Sequence, residues 1–391
     1  MNKVSADRPT GPVKLKGLKK APTITTYQEW RTFMNRPVPE RPDLPTRKVW
    51  KAWSEEQRRQ FNRTRHEYHA GFPPIATPEL QRFHNQMLLQ IWKNMDGDDG
   101  ACAGGLLDGL GTLGKTTILK SLGRRFEMEF NDEHPAEDPE QQDLVIPVAF
   151  VSMSAKATPK DLSLRLARYY NLPLPRSTKA ITKIDVTSAV VECAKNHGTQ
   201  VIMVDDAHFI NIRTEQGQLA NDHFKDLMNE TGATFVFAGI DCKSLLSEGK
   251  EHSRRSQIGG RMIYQRINPM TQDAEAWTGV LTDLEQLLVL ADLPAGTLSV
   301  NFHDYLYQRT GGSIGSLLNL IRKATRVAID TGEEAITEKG LDDIQIDSNA
   351  ELENARKQAE QGVNQPPVRT RRTAKTNKAG ATNTAKAVGS P

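Results

Sequence analysis

Short runs of apolar residues alternate with longer stretches of helical periodicity through the middle of the chain. The strand-like runs are Gly105–Asp108, Leu144–Met153, Gln200–Asp205, Thr234–Gly239 and Met262–Ile267. Helical stretches near 115–126, 159–171, 183–197, 218–231 and 242–248 separate or follow them. Such alternation predicts an α/β fold in which helices cover both faces of a parallel sheet.

Helical periodicity dominates the chain on both sides of this alternating region. The Thr77-Pro78-Glu79 triplet is typical of a helix start, because threonine caps, proline fits the first helical position and an acid follows. After Pro269 the strand-like runs stop, and helical stretches lie near 272–292, 299–309, 313–330 and 337–343. These stretches predict a small all-helical lid behind the sheet.

Shifts in composition give the expected boundaries. The two ends of the chain are poor in large apolar residues, so we expect them to be disordered. The segment before the helix start is rich in Trp, Arg and Pro, with a helical stretch from Glu55 to His69. The predicted units are a basic tail (1–22), a helical and extended recruitment segment (23–76), an α/β core (77–269), a helical lid (270–346) and a second basic tail (347–391).

Charge is distributed unevenly, although the net charge is only +3 over 391 residues. Residues 1–22 carry +5 and residues 361–391 carry +6, which leaves −8 for the residues between them. Two interpretations stay open. The tails are basic arms that contact nucleic acid or an acidic partner, or they are solubilising segments with no further role.

The composition disfavours several classes of protein. Cys102, Cys193 and Cys242 are far apart and form no CxxC pair, which argues against a disulfide framework, a zinc ribbon or a secreted protein. No apolar run approaches the roughly 18 residues that a membrane span needs. The basic N-terminus is not followed by the apolar stretch of a secretory signal. We therefore expect a soluble cytoplasmic protein without a membrane partner.

The strongest chemical signal is a glycine-rich segment that matches G-x-x-x-x-G-K-S/T. Its backbone N–H groups can wrap a phosphate, Lys115 can reach the β- and γ-phosphates, and the Thr116 hydroxyl can bind Mg²⁺. A predicted strand leads in and a predicted helix leads out, as a phosphate-binding loop requires; the alternative is a plain glycine-rich turn. The predicted nucleotide-binding residues are Gly109, Leu110, Gly111, Thr112, Leu113, Gly114, Lys115, Thr116 and Thr117.

A second signal ends the third predicted strand, where four apolar residues precede Asp205 and Asp206. The carboxyl end of a buried parallel strand can place an acid beside the phosphate loop, where Mg²⁺ binds. We assign Asp205, with Thr116, to Mg²⁺ and Asp206 to the role of general base for the attacking water. The guanine signature N-K-x-D does not occur, so ATP is favoured as the nucleotide.

Further motifs surround these two signals. His208 follows the two acids, Gly239 ends the fourth predicted strand, and the segment from Gln257 to Arg261 reads QIGGR. With the phosphate loop, this order resembles the AAA+ ATPases of transposition, the TniB and TnsC proteins, which are similar in role to the phage Mu B protein. The resemblance covers roughly residues 70–330.

The resemblance implies an ATP-dependent oligomer, a ring or a helical filament, that binds double-stranded target DNA and recruits a transposase. In such assemblies the nucleotide lies between subunits, and an arginine of the neighbour contacts its γ-phosphate. Arg261 matches that arginine and joins Asp206 as an expected catalytic residue, with Arg254 and Arg255 as alternatives. The alternative for Arg261 is a solvated surface arginine.

The resemblance also implies a DNA-facing loop and a location at the nucleoid. Lys156 and Lys160 match that loop, and a solvated basic turn is the alternative. His208 could relay the state of the nucleotide or simply pack beside the strand end. An aromatic group could stack on bases or serve ordinary packing and protein contacts; its members are Trp50, Trp53, Phe61 and Tyr68.

Three departures from the family pattern affect hydrolysis. Asp206 stands where Glu is usual, Ile240 stands where a polar Thr is common, and residues 311–316 offer no arginine at the start of a lid helix. Together they predict sound ATP binding with slow hydrolysis, which suits a switch. Two other functions stay open: a signalling ATPase that engages a protein effector without DNA, and an ATPase similar to helicase loaders.

Overall fold

The computed structural model describes residues 23–71, 73–97, 102–154, 157–173, 183–207, 223–224, 226–242, 261–348 and 350–352. Its centre is a five-stranded parallel sheet with the strand order β2-β3-β4-β1-β5. The strands are β1 (Gly104–Gly109), β2 (Val148–Ser152), β3 (Val201–Asp205), β4 (Thr234–Gly239) and β5 (Met262–Ile267). The predicted parallel α/β sheet is confirmed.

The sheet is covered on both faces, as its sequence predicts. Every residue of β1, β3 and β4 is buried, and successive side chains of a strand point to opposite faces. The edge strand β5 instead alternates between covered and exposed residues. The covering helices include α4 (Pro78–Asp96), α5 (Lys115–Glu133), α6 (Pro159–Tyr169) and α7 (Lys183–Asn196).

Several element boundaries differ from the predicted ones, and two of these differences have identifiable reasons. The apolar run predicts one strand over Leu144–Met153, but residues Pro139–Leu144 form a 3₁₀ helix. Strand β2 begins only after Pro147, which has no N–H to donate to a ladder. Helix α5 extends seven residues past the predicted end at 126, because Phe130 continues the buried helical face. Of the helix predicted at 218–231, residues 223–224 and 226–231 are described and helical.

The lid follows the sheet and has a core of its own. Its helices are α8 (Glu275–Leu287), α9 (His303–Thr310), α10 (Ile314–Thr331) and α11 (Glu338–Asp342), with a π-helical turn at Thr297–Asn301. The predicted lid ends at residue 346, but the chain packs beyond that point. Asp347 accepts a hydrogen bond from Ser316 (2.7 Å), and Glu351 accepts one from the Ile346 N–H (2.9 Å). These polar contacts hold the start of the predicted tail on the lid.

The first helix of the chain, α1 (Tyr27–Met34), packs into the core of the sheet domain. Its Trp30 is completely buried, stacks on Phe150 and donates a 2.6 Å hydrogen bond from Nε1 to Glu127 of α5. A capping box of Thr26 and Glu29 fixes the start of the helix. Part of the predicted recruitment segment is therefore integral to the ATPase core.

The next part of the same segment packs on the lid. In α3 (Glu55–Gly71), the guanidinium of Arg65 is buried and bonds both carboxylate oxygens of Glu334, at 2.6 and 2.8 Å. Burial lowers the pKa of His69 to about 4, so its ring is neutral and accepts a hydrogen bond from the Val289 N–H. The N-terminal segment thus contacts the core through α1 and the lid through α3.

The aromatic group of this segment is engaged in packing. The rings of Trp50, Trp53 and Phe61 lie 5.3 to 6.1 Å apart, and the Arg58 guanidinium lies 5.5 Å from the Trp50 ring centre. Trp50 belongs to α2 (Arg47–Ala52), so the cluster joins α2 to α3. Tyr68 is buried in the lid core. These contacts support the packing interpretation over a platform for bases.

We expect the Glu127→Gln variant to be more stable than the parent above pH 7. Burial raises the pKa of Glu127 from 4.5 to about 7, against the opposing hydrogen bond from Trp30. Between these values the folded chain holds a proton that the unfolded chain has lost, so stability falls as the pH rises. The amide is uncharged and can still accept from Trp30, so the gain reaches about 3 kcal/mol at high pH.

Urea unfolding at about pH 5, 7 and 8 measures this difference. The Glu129→Gln variant is the control, because it removes the partly exposed partner of Arg125 on the same helix. It should change the free energy of unfolding by less than about 0.5 kcal/mol at each pH. A constant difference between Glu127→Gln and the parent at all three pH values would contradict the prediction.

Candidate active site

The carboxyl ends of four strands bring polar residues to one edge of the sheet. Asp108 lies near the end of β1, Ser152 ends β2, Asp205 ends β3 and Asp241 follows β4. In the ladder, Ser152 pairs with Asp205, and Asp108 pairs with Gly239. Since all strands are parallel, these ends meet at the same edge, which is where α/β proteins bind ligands.

The predicted phosphate loop joins β1 to α5 at this edge. Thr112 (φ 62°) and Gly114 (φ 83°) are both in the left-handed region, which turns the chain sharply before the helix. Glycine adopts this conformation without strain, so Gly114 suits the position directly before α5. The first turn of α5 contains Lys115, Thr116 and Thr117 and no acid, which leaves its positive dipole end open to an anion.

Lys115 lies among the acids of the edge. Its ammonium donates a 2.5 Å hydrogen bond to the backbone carbonyl of Leu110 in the phosphate loop. Burial lowers the pKa of Lys115, while Asp205 and other nearby acids raise it. The side chain therefore folds over the loop, and its role in binding phosphate stays a prediction.

The two predicted acids occupy different environments. Asp205 is buried and accepts hydrogen bonds from the Thr116 hydroxyl and from the Asp206 N–H, the latter at 3.0 Å. Asp206 is more exposed, has a left-handed backbone (φ 56°) and accepts a 3.1 Å hydrogen bond from the Ser152 hydroxyl. The structure thus brings Thr116, Asp205 and Asp206 together, as their assigned roles require.

The donor set at Asp205 fits a magnesium ion. A hydroxyl and a carboxylate supply the hard oxygen ligands that Mg²⁺ takes alongside substrate phosphates and water. Burial raises the pKa of Asp205, and the neighbouring Asp206 adds to this effect. A nearby cation would therefore stabilise the ionised form of Asp205. Within the described part of the chain, no group of three His, Cys, Asp or Glu side chains could hold a metal by itself.

Sequence reasoning missed two residues of this site. Lys120 lies one helical turn after Thr116, with its ammonium 5.2 Å from the Phe150 ring centre; burial lowers its pKa and Asp205 raises it. Ser152 contacts Asp206 because β2 is the neighbour of β3. The signal for Lys120 was its i, i+4 spacing from Thr116, and the signal for Ser152 was its place as a polar residue at the end of β2.

Asp108 connects β1 to Cys242 after β4 and to the side chain of Tyr264 on β5, beside the phosphate loop. It accepts hydrogen bonds from the Cys242 N–H (3.1 Å) and the Tyr264 hydroxyl (3.0 Å). Burial raises the pKa of Cys242 to about 12, so the thiol stays protonated. Ile240, which precedes the turn at Asp241, is partly exposed and offers no side-chain hydrogen bond at this edge.

Arg261 lies at the opposite edge of the sheet from the phosphate loop. Its carbonyl accepts a hydrogen bond from the Gly104 N–H at the amino end of β1, whereas Gly109 at the carboxyl end pairs with Ile267. Six strand residues separate the two edges, which is about 20 Å. The exposed Arg261 is therefore not placed to reach the phosphate loop of its own subunit.

The remaining predicted site residues are only partly described. Lys160 lies in the first turn of α6, half-buried, behind a capping box formed by Thr158 and Asp161. Lys156, His208, Arg254 and Arg255 lie outside the described residues, as do residues 1–22 and 353–391.

Comparisons with known proteins agree with this geometry. Residues 100–243, which contain the phosphate loop and both acids, match the family model described as AAA domain. The chain is similar in fold to Cdc6p from Pyrobaculum aerophilum, with a TM-score of 0.51, 16% identity, and coverage of 69% of this chain and 67% of that one. It is also similar to the Aeropyrum pernix ORC1 protein in complex with DNA, with a TM-score of 0.50, 18% identity, and coverage of 77% and 71%.

A third similar structure is the ADP form of the Aeropyrum pernix ORC2 protein, with a TM-score of 0.51, 14% identity, and coverage of 69% of each chain. Comparison with the curated proteins finds no match. No helix among the described residues is long and apolar enough to cross a membrane. The region that matches the AAA domain model has a P-loop fold, and the chain is an ATPase. The narrower resemblance to the TniB and TnsC proteins stays a prediction.

Proposed function

We propose that this ATPase assembles head to tail on double-stranded DNA when it binds ATP, and that the assembly recruits a transposase. The observation that carries the proposal is the placement of Arg261 about 20 Å from its own phosphate loop, at the other edge of the sheet. A neighbouring subunit can bring its Arg261 to the loop if the amino ends of its strands face the carboxyl ends of the strands in the first subunit. Repetition of such a contact gives a ring or a helical filament.

Different residues of the site bind the phosphates of ATP, hold Mg²⁺ and accept the proton of the attacking water. The N–H groups of the phosphate loop and the Lys115 ammonium bind the phosphates, and Arg261 of the neighbour adds a charge-assisted contact to the γ-phosphate. Thr116 and Asp205 would hold Mg²⁺, which neutralises developing charge on the phosphates when bound. Asp206 takes a proton from the attacking water, while Ser152 orients its carboxylate. Asp206 and Ile240 support slow hydrolysis, because Asp206 has the shorter reach of an aspartate and Ile240 has no polar group.

The DNA part of the proposal depends on charge and on the sequence resemblance. Lys160, Lys156 four positions before it in the sequence, and the basic tails supply the positive charge that phosphate backbones bind. The Aeropyrum pernix ORC1 protein, which shares the fold, was solved in complex with DNA. The role of the transposase and a location at the nucleoid follow from the resemblance to the TniB and TnsC proteins. In an oligomer, weak contacts at each subunit would sum along the duplex.

A second candidate function is a signalling ATPase that engages a protein effector without DNA. The charge of −8 between residues 23 and 360 favours it, since an acidic surface disfavours DNA. A helicase-loader-like ATPase is the third. The assembly experiment separates the second candidate from the first, because only the first requires duplex DNA.

We expect the Arg261→Ala variant to lose ATP-dependent assembly while each subunit still binds ATP. The arginine acts across the interface, so its removal weakens the contact between subunits and leaves the loop of each subunit intact. Sedimentation velocity with a non-hydrolysable ATP analogue and duplex DNA measures the assembly. The Arg326→Ala variant, which removes an exposed lid arginine paired with Asp330, is the control and should assemble as the parent does.

Three outcomes decide between the candidates. Large DNA-bound assemblies of the parent that Arg261→Ala abolishes would support the proposal. A parent that stays monomeric with analogue and DNA would refute it. Assemblies that form equally without DNA, and that DNA does not join, would favour the signalling candidate.

A further inference from the structure

The lid touches the phosphate loop directly through two polar groups. The Ser313 hydroxyl caps α10 and lies 3.0 Å from both the carbonyl oxygen and the hydroxyl oxygen of Thr112. The Gly315 N–H donates a 2.8 Å hydrogen bond to the same Thr112 carbonyl. A Cβ atom at Gly315 would lie 2.3 Å from that carbonyl, so only glycine allows the approach. Although 201 residues separate Ser313 from Thr112, the start of the lid helix lies against the loop.

We propose that Ser313 and Gly315 are positioning residues that hold the phosphate loop in its nucleotide-binding shape through Thr112. Docking of the lid on Thr112 then sets the affinity for ATP. The start of α10 has no arginine that could contact the nucleotide itself, so the lid acts through the loop. The inference rests on the nucleotide-binding part of the proposed function and is independent of its DNA part.

The first reason is the backbone conformation of Thr112. Its φ of 62° lies in the left-handed region, which costs conformational free energy for a residue with a Cβ atom. The hydroxyl of Thr112 donates to the Gly111 carbonyl (2.6 Å), and the lid engages the Thr112 carbonyl. These hydrogen bonds favour the strained conformation over extended alternatives. The lid therefore supplies part of what keeps the loop folded.

The second reason is the direction of the next N–H group. The peptide bond between Thr112 and Leu113 is trans, so the Thr112 carbonyl and the Leu113 N–H point in opposite directions. With the carbonyl held by the lid, the Leu113 N–H is turned away from the lid and is available as a donor. The hydrogen bonds from the lid also keep the Thr112 carbonyl oxygen directed toward the lid. This oxygen would otherwise repel a bound phosphate.

The third reason is the rigidity of the lid at this contact. Gly312 has a left-handed backbone (φ 75°), and its carbonyl accepts a 3.0 Å hydrogen bond from the Met270 N–H. The Ser316 hydroxyl bonds Asp347, which anchors the first turn of α10 from the other side. A rigid lid start transmits any displacement of the lid to Thr112. Movement of the lid and affinity for ATP are then coupled.

Binding of a non-hydrolysable ATP analogue to the full chain without DNA tests the proposal. We expect Ser313→Ala to raise Kd about fivefold, the effect of one hydrogen bond. Ser313→Thr keeps a capping hydroxyl and should restore binding to within about twofold of the parent. Gly315→Ala should weaken binding more than Ser313→Ala does, because its Cβ would displace the lid from Thr112.

A glycine at position 112 provides the decisive comparison. In a Thr112→Gly background the left-handed conformation is free of strain, so adding Ser313→Ala should change Kd by less than about twofold. An effect that is as large in this background as in the parent would overturn the proposal. So would an unchanged Kd for Ser313→Ala alone.

A matched control separates positioning from lid stability. Thr337 caps α11 in the same lid, accepts a hydrogen bond from the Gly340 N–H (3.2 Å) and has no contact with the loop in the described hydrogen bonds. Thr337→Ala should lower the midpoint of thermal unfolding about as much as Ser313→Ala and leave Kd unchanged. An equal rise in Kd for both cap variants would refute positioning. Since no arm contains DNA, the result stands whether or not the chain assembles on a duplex.

Discussion

Replacement of Lys115 by alanine should abolish ATP binding, with a rise in Kd of at least about 100-fold. The ammonium lies over the phosphate loop, bonded to the Leu110 carbonyl, and can exchange that carbonyl for phosphate oxygens. Its loss removes a charge-assisted hydrogen bond and leaves Asp205 and Asp206 to repel the anionic ligand. Calorimetric titration with ATP and Mg²⁺ measures the effect.

The control for this experiment lies on the same helix. Arg125 of α5 is an exposed cation paired with Glu129, so Arg125→Ala removes a positive charge without touching the loop. We expect its Kd to stay within about twofold of the parent. If Lys115→Ala also bound ATP within about threefold of the parent, the loop would not be the nucleotide site.

The second large effect is expected at Asp206. Asp206→Asn should lower kcat by about 100-fold or more and leave Kd for ATP nearly unchanged, because an amide cannot take the proton of the attacking water. The amide oxygen can still accept the Ser152 hydrogen bond, so the geometry of the edge is retained. In contrast, Asp205→Asn should weaken the Mg²⁺-dependent binding of ATP itself, since Asp205 is the partner of Thr116.

Steady-state turnover and calorimetric binding of the two variants separate these roles. If Asp206→Asn kept full turnover, another acid would have to be the general base. Glu230 and Asp241 are the two acids that sequence position suggests. Glu230 precedes the amino end of β4 and so lies at the edge away from the loop, whereas Asp241 follows its carboxyl end. The structure therefore leaves Asp241 as the alternative to test.

The sheet and the centre of the site could be predicted from the sequence because their signals are local. Buried parallel strands are continuous apolar runs, and the β4 and β5 bounds match the predicted ones. The glycines and Lys115 stand in one continuous motif, and Asp205 directly ends a strand. A local pattern of this kind specifies both the element and the chemistry at its end.

The contacts around the site could not be predicted because they join residues that are distant in sequence. Ser152 reaches Asp206 only once strand order and register are known. Ser313 and Thr112 are polar residues with no periodic signal that would pair them. Trp30 lies in a Pro- and Arg-rich segment, so composition alone did not show that it belongs to the core.

The N-terminal segment also bears on the order of events during synthesis. Arg65 leaves the ribosome 269 residues before its partner Glu334. At about 5–20 residues per second, this interval lasts roughly 13 to 54 s. Until residue 277 is made, Tyr68 and Ile75 have none of the lid residues of their core to pack against, since Trp277 is the first of these in the chain. The segment is thus synthesised well before its contacts with the lid can be completed, and these apolar residues stay without their lid partners on the nascent chain until the lid emerges.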